Sequence, residues 1–247
     1  MPEYYPSTQM LHLLSLLLPL LAPQDPHPLK HRILWTWDSW ICEDDPEGRS
    51  FLAEYKDLVD WMSKNDYNGL VVWGFVDARH GGETAAKALA RYAKSKGVAL
   101  LPGVSTGPGA FGSYGGFALV PGHPFGDDTA LRCYAKPENR EWLRKGAEWL
   151  LDTFDVDGVS LETAEEGIRC PCADCQARLV AQGGPTGGAS FSDLSICATI
   201  VADVFRARRK EPLVTYAAYR PMWWEQKKAA NDLLGLIPEA CVAQWNL

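Results

Sequence analysis

Three acidic residues follow an apolar segment in the sequence DGVSLETAEEG. Glu162 closes the segment, which is predicted to be a strand, and Glu165 and Glu166 come three and four residues later. Hydrolysis of a glycosidic bond needs a carboxylic acid that protonates the leaving oxygen and a second group that stabilises or attacks the anomeric carbon. Neighbouring carboxylates raise each other's proton affinity, which suits a general acid. We therefore expect catalytic roles for Glu162 and Glu165, against the alternative of solvated acids in a loop.

Aromatic and polar residues follow the other predicted strands. The chain has 10 Trp, 9 Tyr and 8 Phe, and aromatic rings can pack on the apolar faces of sugar rings while carboxylates bind the hydroxyls. The alternatives are that the rings fill the core, that the acids cap helices or loops, and that the histidine is structural rather than an acid–base group. The residues expected to contact substrate are Trp37, Asp38, Asp77, His80, Tyr219, Arg220 and Trp245.

Three cysteines lie close together after the proposed acid, in the sequence CPCADC. Cys170, Cys172 and Cys175 can supply three corners of a structural zinc site, with Cys133 or Cys42 as the fourth ligand. In an oxidising compartment the same thiols can form disulfides, and a reduced state is a third possibility. Either bonded state would stiffen the loop after the acid. The expected chemistry requires no cofactor, and catalytic zinc is not expected because thiolate-rich loops make closed sites.

The elements that must position these residues repeat as strand, loop and amphipathic helix. The strands are nearly continuous apolar runs, which indicates a parallel sheet covered on both faces. No glycine-rich phosphate loop follows the first strand, which favours an α/β fold of the (β/α)8 TIM-barrel type over a doubly wound sheet. The predicted strands are 33–37, 69–75, 98–104, 157–163, 213–217 and 241–245. The predicted helices are 51–64, 84–96, 138–154, 191–210 and 223–234.

The sequence predicts two segments, a short N-terminal one and a long folded one. Residues 1–30 are predicted to be a signal-peptide-like segment and linker, because the 12-residue apolar run LHLLSLLLPLLA is too short to span a membrane. The alternative is a buried N-terminal helix. Residues 31–247 are predicted to be the barrel, incomplete at its C-terminus because about six strand–helix units are visible. We expect export to the periplasm or the extracellular space, without stable membrane insertion.

The net charge of −7 and the pI of about 5.3 argue against nucleic acid as a partner, since nucleic-acid-binding domains usually present a basic surface.

The segments HRILWTWDSW, NGLVVWGF, KGVALLPGV, DGVSLETAEEG and CPCADC together resemble a family 20-like glycoside hydrolase barrel, a group that includes β-N-acetylhexosaminidases. The resemblance covers about residues 31–247. It implies that Glu162 is the general acid at the end of the fourth strand. The family places an Asp before this Glu to orient the substrate's acetamido group, which acts as nucleophile. Here that position is Leu161, so the resemblance carries over the acid but not the acetamido-orienting residue.

The sequence thus predicts a carbohydrate-active hydrolase that cleaves O-glycosidic bonds in an oligosaccharide or glycoconjugate. Two other functions fit a barrel with these residues. One is a non-catalytic glycan-binding barrel, and the other is a metal-dependent amide or ester hydrolase. The absence of an HxH or HExxH pair speaks against the metal-dependent enzyme.

Overall fold

Six short parallel strands form the sheet at the centre of the fold. They pair in chain order, β1-β2-β3-β4-β5-β6, and every neighbouring pair is parallel. A doubly wound sheet reverses its strand order at a switch point, whereas this sheet never does. The chain therefore forms a curled part of an α/β TIM barrel, and the predicted fold class is confirmed. The strands are β1 (Ile33–Trp37), β2 (Gly69–Trp73), β3 (Ala99–Ser105), β4 (Gly158–Glu162), β5 (Leu213–Ala217) and β6 (Cys241–Gln244).

The structure is a computed structural model that describes residues 30–37, 45–105, 137–162, 172–181, 192–217, 238–239 and 241–244. The chain divides into two compact units, Met1–Arg32 and Ile33–Leu247, and all described helices and strands belong to the second. The predicted signal-like segment lies outside the described residues, apart from residue 30. None of the helices in the described ranges is long and apolar enough to cross a membrane.

Helices connect the strands as the periodicity predicts. The bounds of the first three and of the last described helix differ from the predicted ones by at most two residues. The nine-residue helix Ala173–Ala181 was not predicted, because its sequence was assigned to the cysteine-rich loop. The predicted helix 223–234 lies outside the described residues. The helices are α1 (Arg49–Lys64), α2 (Gly82–Ser95), α3 (Pro137–Phe154), α4 (Ala173–Ala181) and α5 (Ser192–Arg208), with a 3-10 turn at Ala78–His80.

The main core lies between the outer face of the sheet and the helices. On α1, the buried residues Phe51, Tyr55, Val59 and Met62 recur at helical spacing and pack against the outer side chains of the strands. Val59 and Met62 are fully buried, which stabilises the fold by about 1.5–3 kcal/mol for each side chain. The alternation of strand residues then leaves every second side chain for the inner face.

The inner face of the sheet is packed by large side chains over glycines. A separate buried cluster, made of strand residues alone, contains Val71, Trp73, Leu101 and Leu213. A Cβ atom on Gly103 would lie 2.6 Å from the Trp73 ring, and one on Gly158 would lie 2.8 Å from Leu101 Cδ2. Glycine is therefore required at Gly103 because the Trp73 side chain fills the space, and at Gly158 because a Cβ atom would also lie 2.0 Å from the Leu213 carbonyl oxygen.

Charged residues join the amino end of β4 to two helices. Lys94 Nζ lies 2.7 Å from Asp155 Oδ2, and Arg209 Nη2 lies 2.5 Å from Asp155 Oδ1. Asp157 is a weaker partner of both cations, at 3.6 and 3.9 Å. The hydrogen bond from Lys94, followed by the charges of Lys94 and Arg209, lowers the pKa of the Asp155 carboxyl. These contacts tie the end of α2 and the segment after α5 to the connection between α3 and β4.

Candidate active site

Glu162 is the only acidic or basic residue within the six described strands. It ends β4, where its backbone pairs in register with Ser105 of β3 and with Ala217 of β5. In barrel enzymes the carboxyl ends of the strands carry the catalytic groups, whereas the opposite end serves stability. An ionisable residue in otherwise uncharged strands is therefore the first candidate for chemistry.

Glu162 occupies an inner-face position of β4. Strand residues alternate between the two faces, so Gly158, Ser160 and Glu162 share one face of β4. Gly158 faces the inner cluster, because its missing Cβ would meet Leu101. The same alternation assigns Leu213, Thr215 and Ala217 to the inner face of β5, since Leu213 belongs to the inner cluster.

Two buried hydroxyls lie one inner-face position before the strand ends. Ser160 and Thr215 are register partners, and they are 0% and 1% exposed. Neither hydroxyl has a hydrogen-bond partner within the described part of the chain. Neither residue is among the charged and aromatic residues that the sequence predicts for the site. The sequence feature that could have indicated them is that each is a polar residue within an otherwise apolar strand segment.

Aromatic rings line the inner face of β1 and β2. The ring centroids of Trp35 and Trp73 are 6.5 Å apart with a 49° angle between the planes. Trp73 is buried over Gly103, whereas Trp35 is 36% exposed. Trp37, an expected substrate contact, pairs in register with Trp73 at the end of β1. The sequence thus has tryptophan at three neighbouring inner-face positions of these strands.

The loop after β2 is organised by Asp77. Its carboxylate accepts hydrogen bonds from the backbone N–H of Arg79 at 2.9 Å and from Arg79 Nη2 at 2.6 Å. The side-chain hydrogen bond from Arg79 lowers the pKa of the Asp77 carboxyl, with partial burial acting against it. Asp77 is therefore ionised at neutral pH and held by Arg79, and its carboxylate shapes this loop.

His80 is buried in the same loop. It is 2% exposed, and its ring stacks on Phe51 with centroids 5.6 Å apart and planes at 12°. The side chain therefore faces α1. Its burial against Phe51 favours a role in packing. Nothing in the residue's type or spacing predicts this burial, because it depends on where α1 packs.

The loops after β1 and β2 are fastened to each other. The N–H of Asp45 donates to the carbonyl of Arg79 at 2.6 Å, and Gly48 and Gly81 pack together with φ angles of 66° and 84°. Asp45 also caps α1, where its Oδ2 accepts the backbone N–H of Ser50 at 2.7 Å. Although desolvation opposes it, the backbone hydrogen bonds at this cap lower the pKa of the Asp45 carboxyl. Asp45 is not among the residues predicted for the site. The sequence feature that could have indicated it is its position a few residues before a predicted helix.

The structure describes only some of the remaining residues that were expected in the site. Cys172 is half-buried just before α4, and Cys175 lies within that helix. Within the described ranges no group of three or more potential ligands could hold a metal ion. The residues Asp38, Glu165, Cys170, Tyr219, Arg220 and Trp245 lie outside the described residues, so their proximity to Glu162 stays a prediction.

Solved structures with a similar fold include glycoside hydrolases. A maltogenic α-amylase from Thermotoga neapolitana has a TM-score of 0.51 and 13% identity, with 86% of this chain and 58% of that chain covered. The Thermobaculum terrenum O-GlcNAc hydrolase has a TM-score of 0.53 and 13% identity, with 87% and 40% covered. A GH20 exo-β-N-acetylglucosaminidase from Vibrio harveyi has a TM-score of 0.50 and 12% identity, with 88% and 38% covered.

The chain has the (β/α) barrel fold of these enzymes. At 12–13% identity the likeness shows the fold alone, and the neighbours belong to more than one kind of glycoside hydrolase. It therefore supports the barrel predicted from the sequence without singling out family 20. This chain spans between 38% and 58% of the length of these three neighbours. No protein-family model matches the sequence, and no curated protein matches it by sequence.

Proposed function

We propose that this protein is a glycoside hydrolase in which Glu162 is the general acid. The observation that carries the proposal is that Glu162 is the only Asp, Glu, His, Lys or Arg within the six described strands and stands at the carboxyl end of β4. The barrel fold adds support, because its solved neighbours are glycoside hydrolases.

In this mechanism the carboxylic acid of Glu162 protonates the glycosidic oxygen as the bond to the anomeric carbon breaks. Charge then develops on the sugar ring, and a second group must stabilise or attack it. We assign this role to an acid at the same end of the barrel, with Glu165 as the first candidate from the sequence. If the two carboxyl groups are about 5–5.5 Å apart the reaction retains configuration, and if they are about 6.5–9.5 Å apart it inverts configuration.

The proposed substrate is an oligosaccharide or glycoconjugate bound across the carboxyl ends of the strands. We assign the sugar faces to Trp37 and Trp245, and the sugar hydroxyls to Asp38, Tyr219 and Arg220. The exposed Trp35 on the inner face supports a cleft that accepts a ring. Asp77 contributes through the loop that it shapes, since Arg79 already holds its carboxylate.

Two further expectations belong with this proposal. We propose that the chain is exported, and that Cys170, Cys172 and Cys175 staple the loop after Glu162 as disulfides or as a structural zinc site. No cofactor is required for the reaction itself. Thiol titration and metal analysis of the purified protein test the staple. The staple is excluded if all thiols react and no metal is bound in protein from an oxidising compartment.

Replacing Glu162 with Gln tests the function. The variant keeps the side chain's shape but cannot protonate the leaving group, so we expect a loss of about 10²–10⁴-fold in kcat on aryl and natural glycosides. Glu54, exposed on α1, provides the matched control, and Glu54→Gln should retain full activity. Equal activity of the Glu162→Gln and unaltered proteins would remove Glu162 from the mechanism.

A non-catalytic glycan-binding barrel is the second candidate, and the exposed Trp35 ring favours it. Isothermal titration calorimetry with a glycan panel separates the two functions. In an enzyme, Glu162→Gln retains sugar affinity and loses turnover. In a binding protein, no glycoside is turned over by the unaltered chain, and Trp35→Ala loses affinity.

A further inference from the structure

Arg79 is held from two sides in the loop after β2, residues 74–81, which we call the Asp77 loop. Its backbone N–H and its guanidinium donate hydrogen bonds to the Asp77 carboxylate, at 2.9 Å and 2.6 Å. Its carbonyl accepts the N–H of Asp45, at 2.6 Å, from the end of the loop after β1. Because these bonds act on one residue, the position of Asp45 bears directly on where Arg79 and Asp77 lie.

Asp45 is in turn fixed to the amino end of α1. Its Oδ2 atom accepts the N–H of Ser50 at 2.7 Å and the N–H of Phe51 at 3.3 Å, and its carbonyl accepts the N–H of Gly48 at 2.7 Å. The first N–H groups of a helix lack partners within the helix, and a carboxylate that accepts them is also favoured by the helix dipole. Asp45 therefore bonds α1 through its side chain and the Asp77 loop through its backbone.

The Asp77 loop also packs directly on the start of α1. A Cβ atom on Gly48 would lie 2.5 Å from the carbonyl oxygen of His80, so the two backbones are in contact. The His80 ring stacks on Phe51 of α1, with the ring centroids 5.6 Å apart. In a close-packed contact of this kind, a shift of one partner displaces the other.

We propose that Asp45 is a positioning residue that fixes the Asp77 loop to the amino end of α1 and so prepares this loop to bind substrate. The inference rests on the proposed function, in which the substrate is bound across the carboxyl ends of the strands, where the Asp77 loop lies. A loop that is fixed before binding loses less conformational entropy when a sugar is bound. Asp45 thus supports substrate affinity through Arg79 and Asp77.

The other end of α1 offers a matched control. Asp60 also anchors this helix, because its Oδ1 atom accepts hydrogen bonds from the Tyr92 hydroxyl at 2.8 Å and from Lys96 Nζ at 2.6 Å. It lies near the carboxyl end of α1, whereas the Asp77 loop packs on the amino end. Asp60→Ala therefore removes an anchoring aspartate of α1 without altering the Asp77 loop.

The first measurement is the pKa of Asp77, by carbon NMR of the full chain labelled at the aspartate side chains, with Asp77→Asn identifying the signal. The hydrogen bond from the Arg79 side chain lowers this pKa, so a loosened loop should return it toward its usual value. We expect Asp45→Ala to raise the Asp77 pKa by about 0.5 or more. Loss of the Asp45 charge alone would lower this pKa, so the direction of the change separates the two effects.

Two variants provide the comparison for this pKa. Asp45→Asn loses the charge but retains an oxygen that can accept the N–H groups of α1, so it should not raise the Asp77 pKa. Asp60→Ala should not raise it either, although it removes an anchor of the same helix. A rise that is confined to Asp45→Ala would therefore come from the loss of the fixed loop.

Hydrogen exchange provides a second measurement, and part of it needs no variant. The amide of Asp45 should be protected in the unaltered protein, since it donates to the Arg79 carbonyl. In Asp45→Ala, the amide of residue 45 should exchange about tenfold faster or more. The same is expected of the amides of His80 and Gly82, which donate to the Asp77 carbonyl. Asp60→Ala should leave all three amides as protected as before.

Two results overturn the inference: an unprotected Asp45 amide in the unaltered protein, or an Asp77 pKa that does not rise in Asp45→Ala. The first applies even if Asp45→Ala does not fold. Where a glycoside is cleaved, Asp45→Ala should raise KM by about threefold or more and change kcat by less than about twofold. An unchanged KM would overturn the role in substrate binding. If the pKa and the exchange change as expected but the unaltered protein cleaves no glycoside, the anchoring stands and the proposed function fails.

Discussion

Gly48 and Gly81 touch where the loops after β1 and β2 meet, and a Cβ atom on Gly81 would lie 2.8 Å from the Cα of Gly48. Both residues have positive φ angles, a conformation that disfavours side chains. The contact joins two neighbouring loops at the end of the barrel where the proposed acid stands.

Gly81→Ala should therefore destabilise the protein strongly. We expect a loss of about 2–5 kcal/mol, of which about 1–2 comes from the left-handed backbone and about 1–3 from overpacking. Gly82 is the matched control, since its φ is 54° and a Cβ there would meet nothing within 4 Å. Gly82→Ala should lose only the backbone contribution. Urea denaturation measures both, and equal losses in the two variants would contradict the close contact.

Gly103→Ala should destabilise the inner face of the sheet. A Cβ atom at this position would lie 2.6 Å from the Trp73 ring, so the ring must move at a cost of about 1–3 kcal/mol. Trp73→Phe provides space, and the double variant should be less destabilised than the sum of the two single variants. A double-mutant cycle from denaturation curves measures this coupling. Strict additivity would show that the ring does not occupy the space over Gly103.

Asp155→Asn should make a small, pH-dependent change in stability. The folded-state pKa of Asp155 is lowered, chiefly by Lys94, so its contribution is present above the unfolded-state pKa of about 3.9. The contribution is lost as the pH falls through the lowered folded-state value. The carboxylate is largely exposed, so we expect at most about 1 kcal/mol at neutral pH, and less in high salt.

Asp66 is the control for this variant. It shares the left-handed backbone, with φ of 60° against 54° for Asp155. It has no ion pair with any described residue. Asparagine tolerates this conformation, so Asp66→Asn should leave the pH dependence unchanged. Thermal unfolding between pH 3 and 7 gives the comparison. Parallel curves for Asp155→Asn and the unaltered protein would argue against a role for the ion pairs.

Two substitutions at Asp77 should separate its turn from its ion pair. Asp77→Asn retains an oxygen for the N–H of Arg79 but removes the charge, whereas Asp77→Ala removes both interactions. We expect Asp77→Ala to cost about 1 kcal/mol more than Asp77→Asn, which is the net contribution of one hydrogen bond. Denaturation curves measure the difference. Equal costs in the two variants would mean that the charge, rather than the turn, holds the loop.

The sequence predicted the strands well because apolar runs between polar boundaries define them, and β1 and β5 agree with the prediction to the residue. Helix α4 differs from the prediction of a cysteine-rich loop, because the close spacing of three cysteines indicates metal or disulfide bonding and does not reveal the helix that follows. The position of Glu162 at the end of β4 was also predictable, since the strand itself ends there.

Other features of the site depend on tertiary packing that a single sequence does not reveal. His80 could be recognised as a titratable loop residue, but its burial against Phe51 follows from where α1 packs. The inner glycines illustrate the same limit, because Gly103 is explained only by Trp73 on the neighbouring strand. Ser160 and Thr215 become a pair only once the register between β4 and β5 is known.

The ion pairs of Asp155 with Lys94 and Arg209 have a practical consequence for engineering. They secure two helical connections at the amino end of β4, whereas Glu162 stands at the other end of the same strand. Loops at the carboxyl ends of the strands can therefore be exchanged or randomised without disturbing this anchorage. A library built in those loops, with Gly48 and Gly81 retained, would explore new specificities while these ion pairs stay in place.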